Sequence, residues 1–132
     1  MTFIDSSVII DMLTGVNDVV EAVEARGQPY LTSAICVFEV LDGAVSGDQT
    51  DVVAVRDHFG GVRALDLNER IAIEAARMQG RLMADGDRMP ARDLLIAATA
   101  RSTGDELVVA DADFETGLLS ETMDVTNLRR DG

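Results

Sequence analysis

Pro90-Ala91-Arg92-Asp93-Leu94-Leu95-Ile96-Ala97-Ala98-Thr99-Ala100-Arg101-Ser102-Thr103-Gly104-Asp105-Glu106-Leu107-Val108-Val109-Ala110-Asp111 holds a helix, a stop and a buried strand in one stretch. Proline suits a first helical position, where its missing N–H is not needed and its φ is already set. The run from Leu94 to Ala100 continues as a helix to Ser102 and stops at Gly104. Glu106–Ala110 then reads as a strand with apolar residues on both faces, the mark of a covered parallel sheet. Two acids frame this unit. Asp93 opens the apolar helix and Asp111 closes the strand.

The same alternation runs through the rest of the chain. Thr2–Asp5 reads as a short buried strand, capped into a helix over Ser6–Leu13. A second helix covers about Asn17–Ala25, and Tyr30–Thr32 is strand-like. Ser33 caps a helix through about Val45; Asp51–Phe59 is helical, closed by Gly60-Gly61. Val62–Leu67 alternates like a strand, and Asn68–Ala84 carries Ile71, Ala75, Met78 and Leu82 on one stripe. A short helix over Asp113–Leu119, a last strand at Met123–Thr126 and a polar tail complete the chain. The expected fold is α/β: one domain over residues 1–132, with a parallel central sheet of about four to five strands flanked by helices on both faces. In such sheets sites form beyond the carboxyl ends of the strands.

Four acids interrupt apolar stretches: Asp5 in Phe3-Ile4-Asp5-Ser6-Ser7-Val8, Glu39 in Val37-Phe38-Glu39-Val40-Leu41, Asp93 and Asp111. An ionised carboxylate beside core residues loses hydration and needs a partner. Simple structural roles exist for three of them. Asp5 and Asp111 are placed to cap helices, and Asp93 suits the positive end of its helix. Glu39 is mid-helix, where neither role applies; Asp42, at i+3, can share its face. One divalent cation would give all four a partner of opposite charge. Carboxylates with no His or Cys beside them fit Mg²⁺ or Mn²⁺ rather than zinc.

Composition narrows the setting. The chain of 132 residues has net charge −13, sixteen Asp, eight Glu and eleven cations, all arginine. An Asp-rich, lysine-free surface resembles proteins of salt-loving organisms, where salt screens self-repulsion; a GC-rich genome produces a similar bias. Residues 56–101 hold eight arginines against seven acids, so an anionic partner is expected to meet that segment. The competing reading is that these arginines are solvated or paired along helix faces. The single cysteine, Cys36, excludes an internal disulfide and reads as core. His58 reads as a surface residue. There is no membrane-spanning run and no leader-like segment, so a cytoplasmic protein without membrane association is expected.

In order along the chain, Asp5-Ser6-Ser7, Thr32-Ser33 with Glu39, the Asp93–Ala100 block and Val109-Ala110-Asp111-Ala112-Asp113-Phe114 resemble the PIN domain, and within it the VapC-like toxins of type II toxin–antitoxin systems. The resemblance covers nearly the whole chain. It implies a PIN-like nuclease domain over 1–132 and a Mg²⁺- or Mn²⁺-dependent ribonuclease with an acidic quartet at Asp5, Glu39, Asp93 and Asp111. It also implies a homodimer and a cognate antitoxin. On this reading Asp5 and Asp93 are direct metal ligands, while Glu39 and Asp111 bind directly or through water. Ser7 supports a ligand or the scissile phosphate, and Arg92 lies at the mouth of the site. Val109 stands where the family often has Thr or Ser, and Asp113 is a second candidate for the fourth acid. Asp111 is preferred because it directly ends the buried strand. Two other roles compete: a free-standing RNA-processing nuclease, and a PIN-like domain that binds RNA or protein without cleaving. A phosphoryl-accepting receiver would use a lysine, which the chain lacks. An aspartate-nucleophile phosphatase would want Asp, not Ser, at position 7.

Overall fold

The computed structural model describes residues 1–48 and 50–129. In chain order the elements are β1 (Thr2–Ile4), α1 (Ser6–Leu13), α2 (Asn17–Glu24), β2 (Tyr30–Ser33), α3 (Ala34–Ser46), α4 (Val52–Asp57), β3 (Val62–Leu65), α5 (Glu69–Ala84), α6 (Ala91–Thr103), β4 (Glu106–Val109), a 3-10 turn at Thr116–Leu118 and β5 (Val125–Asn127). The five strands form one sheet in the order β3-β2-β1-β4-β5, and every neighbouring pair is parallel. The expected α/β class and parallel sheet are therefore present.

Strand alternation divides the core in two. Phe3, Leu31, Leu107 and Val109 face one side and pack with Ile71, Ala75 and Met78 of α5 and with α6. Ile4, Val108 and Val62 face the other, against Val8 and Ile9 of α1, Val19 and Val23 of α2, and Val40 of α3. Helix α6 is apolar nearly all round, as a helix enclosed by other elements must be. Ile96, Ala97, Ala98 and Ala100 are fully buried. It ends at Gly104, whose φ of 74° is the left-handed cap that glycine takes without a Cβ penalty.

The topology fixes where a site can form. From β1 the chain moves outward through β2 to β3, then crosses back to place β4 on the other side of β1. The direction of winding reverses between β1 and β4, and the crevice at their carboxyl ends is where parallel α/β sheets bind ligands. Asp5 follows β1 and Asp111 lies just past β4.

Two expected elements differ. Asp113–Leu119 is not one helix: residues 112–114 form a turn, followed by the short 3-10 turn. Asp111 Oδ1 accepts the Asp113 amide at 2.9 Å, which offers the backbone a side-chain turn in place of a helix. The last strand lies at Val125–Asn127, not Met123–Thr126, because Met123 packs on the core ahead of it. Of the polar tail, Arg129 bonds Asp11 at 2.6 Å, and residues 130–132 lie outside the described residues.

Candidate functional site

Asp5 is completely buried at the β1–α1 junction. Its amide donates to Val108 O of β4 at 3.2 Å, which locks it beside the neighbouring strand. Its Oδ1 accepts from Val8 N at 3.3 Å, capping α1, and from Ser7 Oγ at 2.6 Å. Ser7 Oγ in turn accepts from Ala110 N at 2.9 Å, so one hydroxyl ties the end of β4 to Asp5. Asp5 Oδ2 has no hydrogen-bond partner among the described residues. The helix cap and the Ser7 bond thus both use Oδ1, and Oδ2 accepts nothing from the described residues.

Glu39 comes from the middle of α3 and Asp93 from the first turn of α6. Arg92 joins them. Its Nε and Nη2 bond the two oxygens of Glu39, the Nη2 contact at 2.8 Å, and its Nη1 meets Asp93 Oδ1 at 2.5 Å. Ser6 completes the group: its hydroxyl donates to Glu39 Oε1 at 3.0 Å and accepts from Arg92 Nη2 at 3.0 Å. Asp111 is half-buried, and its carbonyl accepts from Asn127 Nδ2 at 2.7 Å, which holds the backbone after β4 against β5.

The electrostatics show that these groups share one environment. Burial pushes the Asp5 carboxyl up to about 6. The Ser7 and Val8 bonds and the Arg92 charge oppose that rise, and the Asp111 charge adds to it. Burial also raises Asp93; Arg92 lowers it, and the charges of Asp111 and Glu39 raise it again. The Arg92 guanidinium is held firmly protonated, chiefly by its bond to Glu39. All four sequence-selected acids are therefore within electrostatic reach of at least one other. Among the described residues, however, no three His, Cys, Asp or Glu side chains stand as a group that could hold a metal ion, with Arg92 interposed between Glu39 and Asp93.

The donor set nevertheless fits a hard divalent cation. It offers only carboxylate oxygens, and one of them, Asp5 Oδ2, is buried and has no hydrogen-bond partner among the described residues. Asp42 does not join: it is exposed on α3, and its carbonyl accepts from Ser46 Oγ at 2.9 Å. Asp113 is also exposed and contributes its amide to Asp111 rather than its carboxylate to the cluster. Cys36 is buried in the core and His58 is exposed at the end of α4. Ser6 and Asn127 were not selected from the sequence. Ser6 follows Asp5 directly, but only the folded positions of Glu39 and Arg92 give it a role.

The arginines of residues 56–101 divide. Arg101 and Arg81 both pair with Glu74, at 2.6 and 3.6 Å, and Arg56 bonds the carbonyls of Phe59 and Val62. Those three hold structure together. Arg63, Arg70 and Arg77 are exposed and form no ion pair among the described residues; the last two line a cavity of about 680 Å³.

The fold is shared with solved structures. A toxin–antitoxin complex from Klebsiella pneumoniae matches with TM-score 0.78 at 20% identity, covering 96% of this chain and 97% of that one. FitAcB from Neisseria gonorrhoeae matches with TM-score 0.78 at 24% identity, covering 96% and 97%. VapC20 of Mycobacterium tuberculosis, a Sarcin-Ricin loop cleaving toxin, matches with TM-score 0.65 at 16% identity, covering 89% and 95%. No curated protein sequence matches the chain significantly. The family model for the PIN domain matches residues 2–116, from the first strand through the turn after Asp111. The chain belongs to the PIN domain family.

Proposed function

We propose that this chain is a single PIN nuclease domain over residues 1–132 that hydrolyses RNA phosphodiester bonds with Mg²⁺ or Mn²⁺ at Asp5, Glu39, Asp93 and Asp111. We further read it as the toxin of a type II toxin–antitoxin pair, cytoplasmic and homodimeric. The observation that carries this is the concentration of acids at the winding reversal. A fully buried Asp5, one oxygen of which has no partner among the described residues, lies within electrostatic reach of Asp111, and Asp111 is within reach of Asp93. Carboxylates shifted by burial and by neighbouring like charges in a cleft are the arrangement that functional sites use. The toxin role is supported by the shared fold with toxin–antitoxin complexes and with an RNA-cleaving toxin. No helix of the described residues is long and apolar enough to cross a membrane.

Asp5 and Asp93 would hold the cation, with Glu39 and Asp111 completing its shell directly or through water. When bound, the cation supplies Lewis acidity at the phosphodiester and lowers the pKa of an attacking water. Ser7 fixes the rotamer of Asp5 by bonding its Oδ1, so Oδ2 is the oxygen left to face the cation. Glu39, mounted on a rigid helix, orients water as a hydrogen-bond acceptor. Among the described residues Arg92 is the cation that pairs with Glu39 and Asp93, and once released from them its guanidinium would have the geometry to meet the scissile phosphate.

The test is incubation of the purified chain with total RNA in Mg²⁺ or Mn²⁺, with and without EDTA. Discrete cleavage that EDTA abolishes is expected. RNA binding without cleavage in either metal would favour the non-catalytic reading. Cleavage that persists in EDTA would remove the metal from the account.

A further inference from the structure

Two of the four acids already share one cation from within the chain. Arg92 uses Nε and Nη2 on Glu39, Nη1 on Asp93 and Nη2 again on Ser6, so all three guanidinium nitrogens are engaged. The guanidinium presents its donors in a fixed fork, and this fork spans α3 and α6. A divalent cation and a guanidinium compete for the same carboxylate oxygens. Among the described residues the acids do not stand as a metal-holding group, the guanidinium pairs with both Glu39 and Asp93, and Asp111 repels both Asp5 and Asp93. The Arg92 side chain is 34% exposed, so it can rotate into solvent without disturbing the core.

We propose that Arg92 is a built-in counter-ion of the metal-free centre: it closes Glu39 and Asp93 against one another and must release them before a divalent cation is bound. This inference rests on the metal-dependent reading above. Its consequence is that Arg92 weakens the intrinsic affinity for the cation while stabilising the protein that lacks it. Entry of a dication then moves one positive charge outward, toward the place where substrate phosphate arrives.

Mn²⁺ binding followed by electron paramagnetic resonance, on the full chain without RNA, separates this from a purely structural ion pair. The comparison is wild type, Arg92→Gln and Arg92→Lys. Arg92→Gln is expected to tighten the Mn²⁺ Kd on the order of tenfold, because a competing positive charge is gone. The same variant is expected to melt below wild type in EDTA and to regain most of the difference in saturating Mn²⁺. Arg92→Lys, which keeps the charge without the fork, falls between the two. Unchanged or weaker Mn²⁺ binding by Arg92→Gln would overturn the counter-ion role while leaving the nuclease reading standing. If Arg92→Gln does not fold, Arg92→Lys decides: tighter binding than wild type supports the proposal, and equal or weaker binding overturns it. No Mn²⁺ binding by any of the proteins would defeat both this inference and the metal-dependent reading.

Discussion

Asp5 shows how one residue serves fold and site at once, and its titration exposes the conflict. Its folded pKa of about 6 lies above the ordinary 3.8, so the folded, metal-free protein binds its proton more tightly than the unfolded chain does. Stability from that preference is full below about pH 4 and is lost as pH rises through 6. Asp5→Asn keeps an acceptor for Ser7 and Val8 and removes the charge. Between pH 4 and pH 8 in EDTA, the stability of the variant relative to wild type is expected to shift in its favour by about 2 kcal/mol. Urea unfolding at both pH values measures it, and a difference that does not move with pH would show that Asp5 is not strained. Asp111 and Asp113 part at the same scale. Asp111→Asn is expected to weaken cleavage far more than Asp113→Asn, since Asp113 is exposed and lends only its amide. Cleavage assays on both variants check this; the reverse order would move the fourth acid by two residues. Among these positions Glu39 was the most legible, because a mid-helix acid between Phe38 and Val40 has no local use. The hold of Arg92 on Glu39 was not legible, since 53 residues separate them and only tertiary packing brings them together.

Elements position these residues through their ends. Asp5 belongs to a strand end, a helix cap and a cross-strand bridge, and Ser7 is the joint between the last two. Ser7→Ala leaves the Ala110 N–H without its acceptor and frees Asp5 to rotate. A loss of about 1–3 kcal/mol in stability is expected, with a larger loss in cleavage than that destabilisation explains. Thermal melts and cleavage rates measured on the same preparation would show it; loss of stability alone would confine Ser7 to the fold. The strands and long helices were readable because covered parallel strands are continuous apolar runs and helices carry stripes. The segment after Asp111 misled for a physical reason. Its composition suits a short helix, but Phe114 and Leu119 are both buried and the Asp111 side chain takes the amide that a helix start would leave free. Local propensity lost there to two core anchors and one side-chain turn.

At the scale of the whole molecule, charge governs association. A chain at −13 repels RNA, and salt screens that repulsion as well as any phosphate contact. Most nucleic-acid binders weaken steeply with salt through counterion release. Here a shallow or inverted dependence of cleavage is expected from 0.1 to 3 M KCl, with folding retained by circular dichroism. A steep loss of activity in a protein that stays folded would contradict the salt-adapted reading of the surface. Exposed Arg63, Arg70 and Arg77 form no ion pair among the described residues and would be the ones open to phosphate, whereas Arg56, Arg81 and Arg101 bond within the fold. The sequence showed the excess of arginine over residues 56–101 but not this division, which depends on where Glu74 and the carbonyls of Phe59 and Val62 lie. Dimerisation is checked by light scattering at tens of micromolar in high salt, where a particle of twice the chain mass is expected. The central claim, that these acids cleave RNA through a divalent cation, is met most directly by one assay: RNA cleavage in Mn²⁺ by wild type, Asp5→Asn and Asp93→Asn, each shown to be folded. Loss of a ligand charge is expected to remove several kcal/mol of transition-state stabilisation, a fall of about a hundredfold or more in both variants. Cleavage at the wild-type rate by both folded variants would contradict the account.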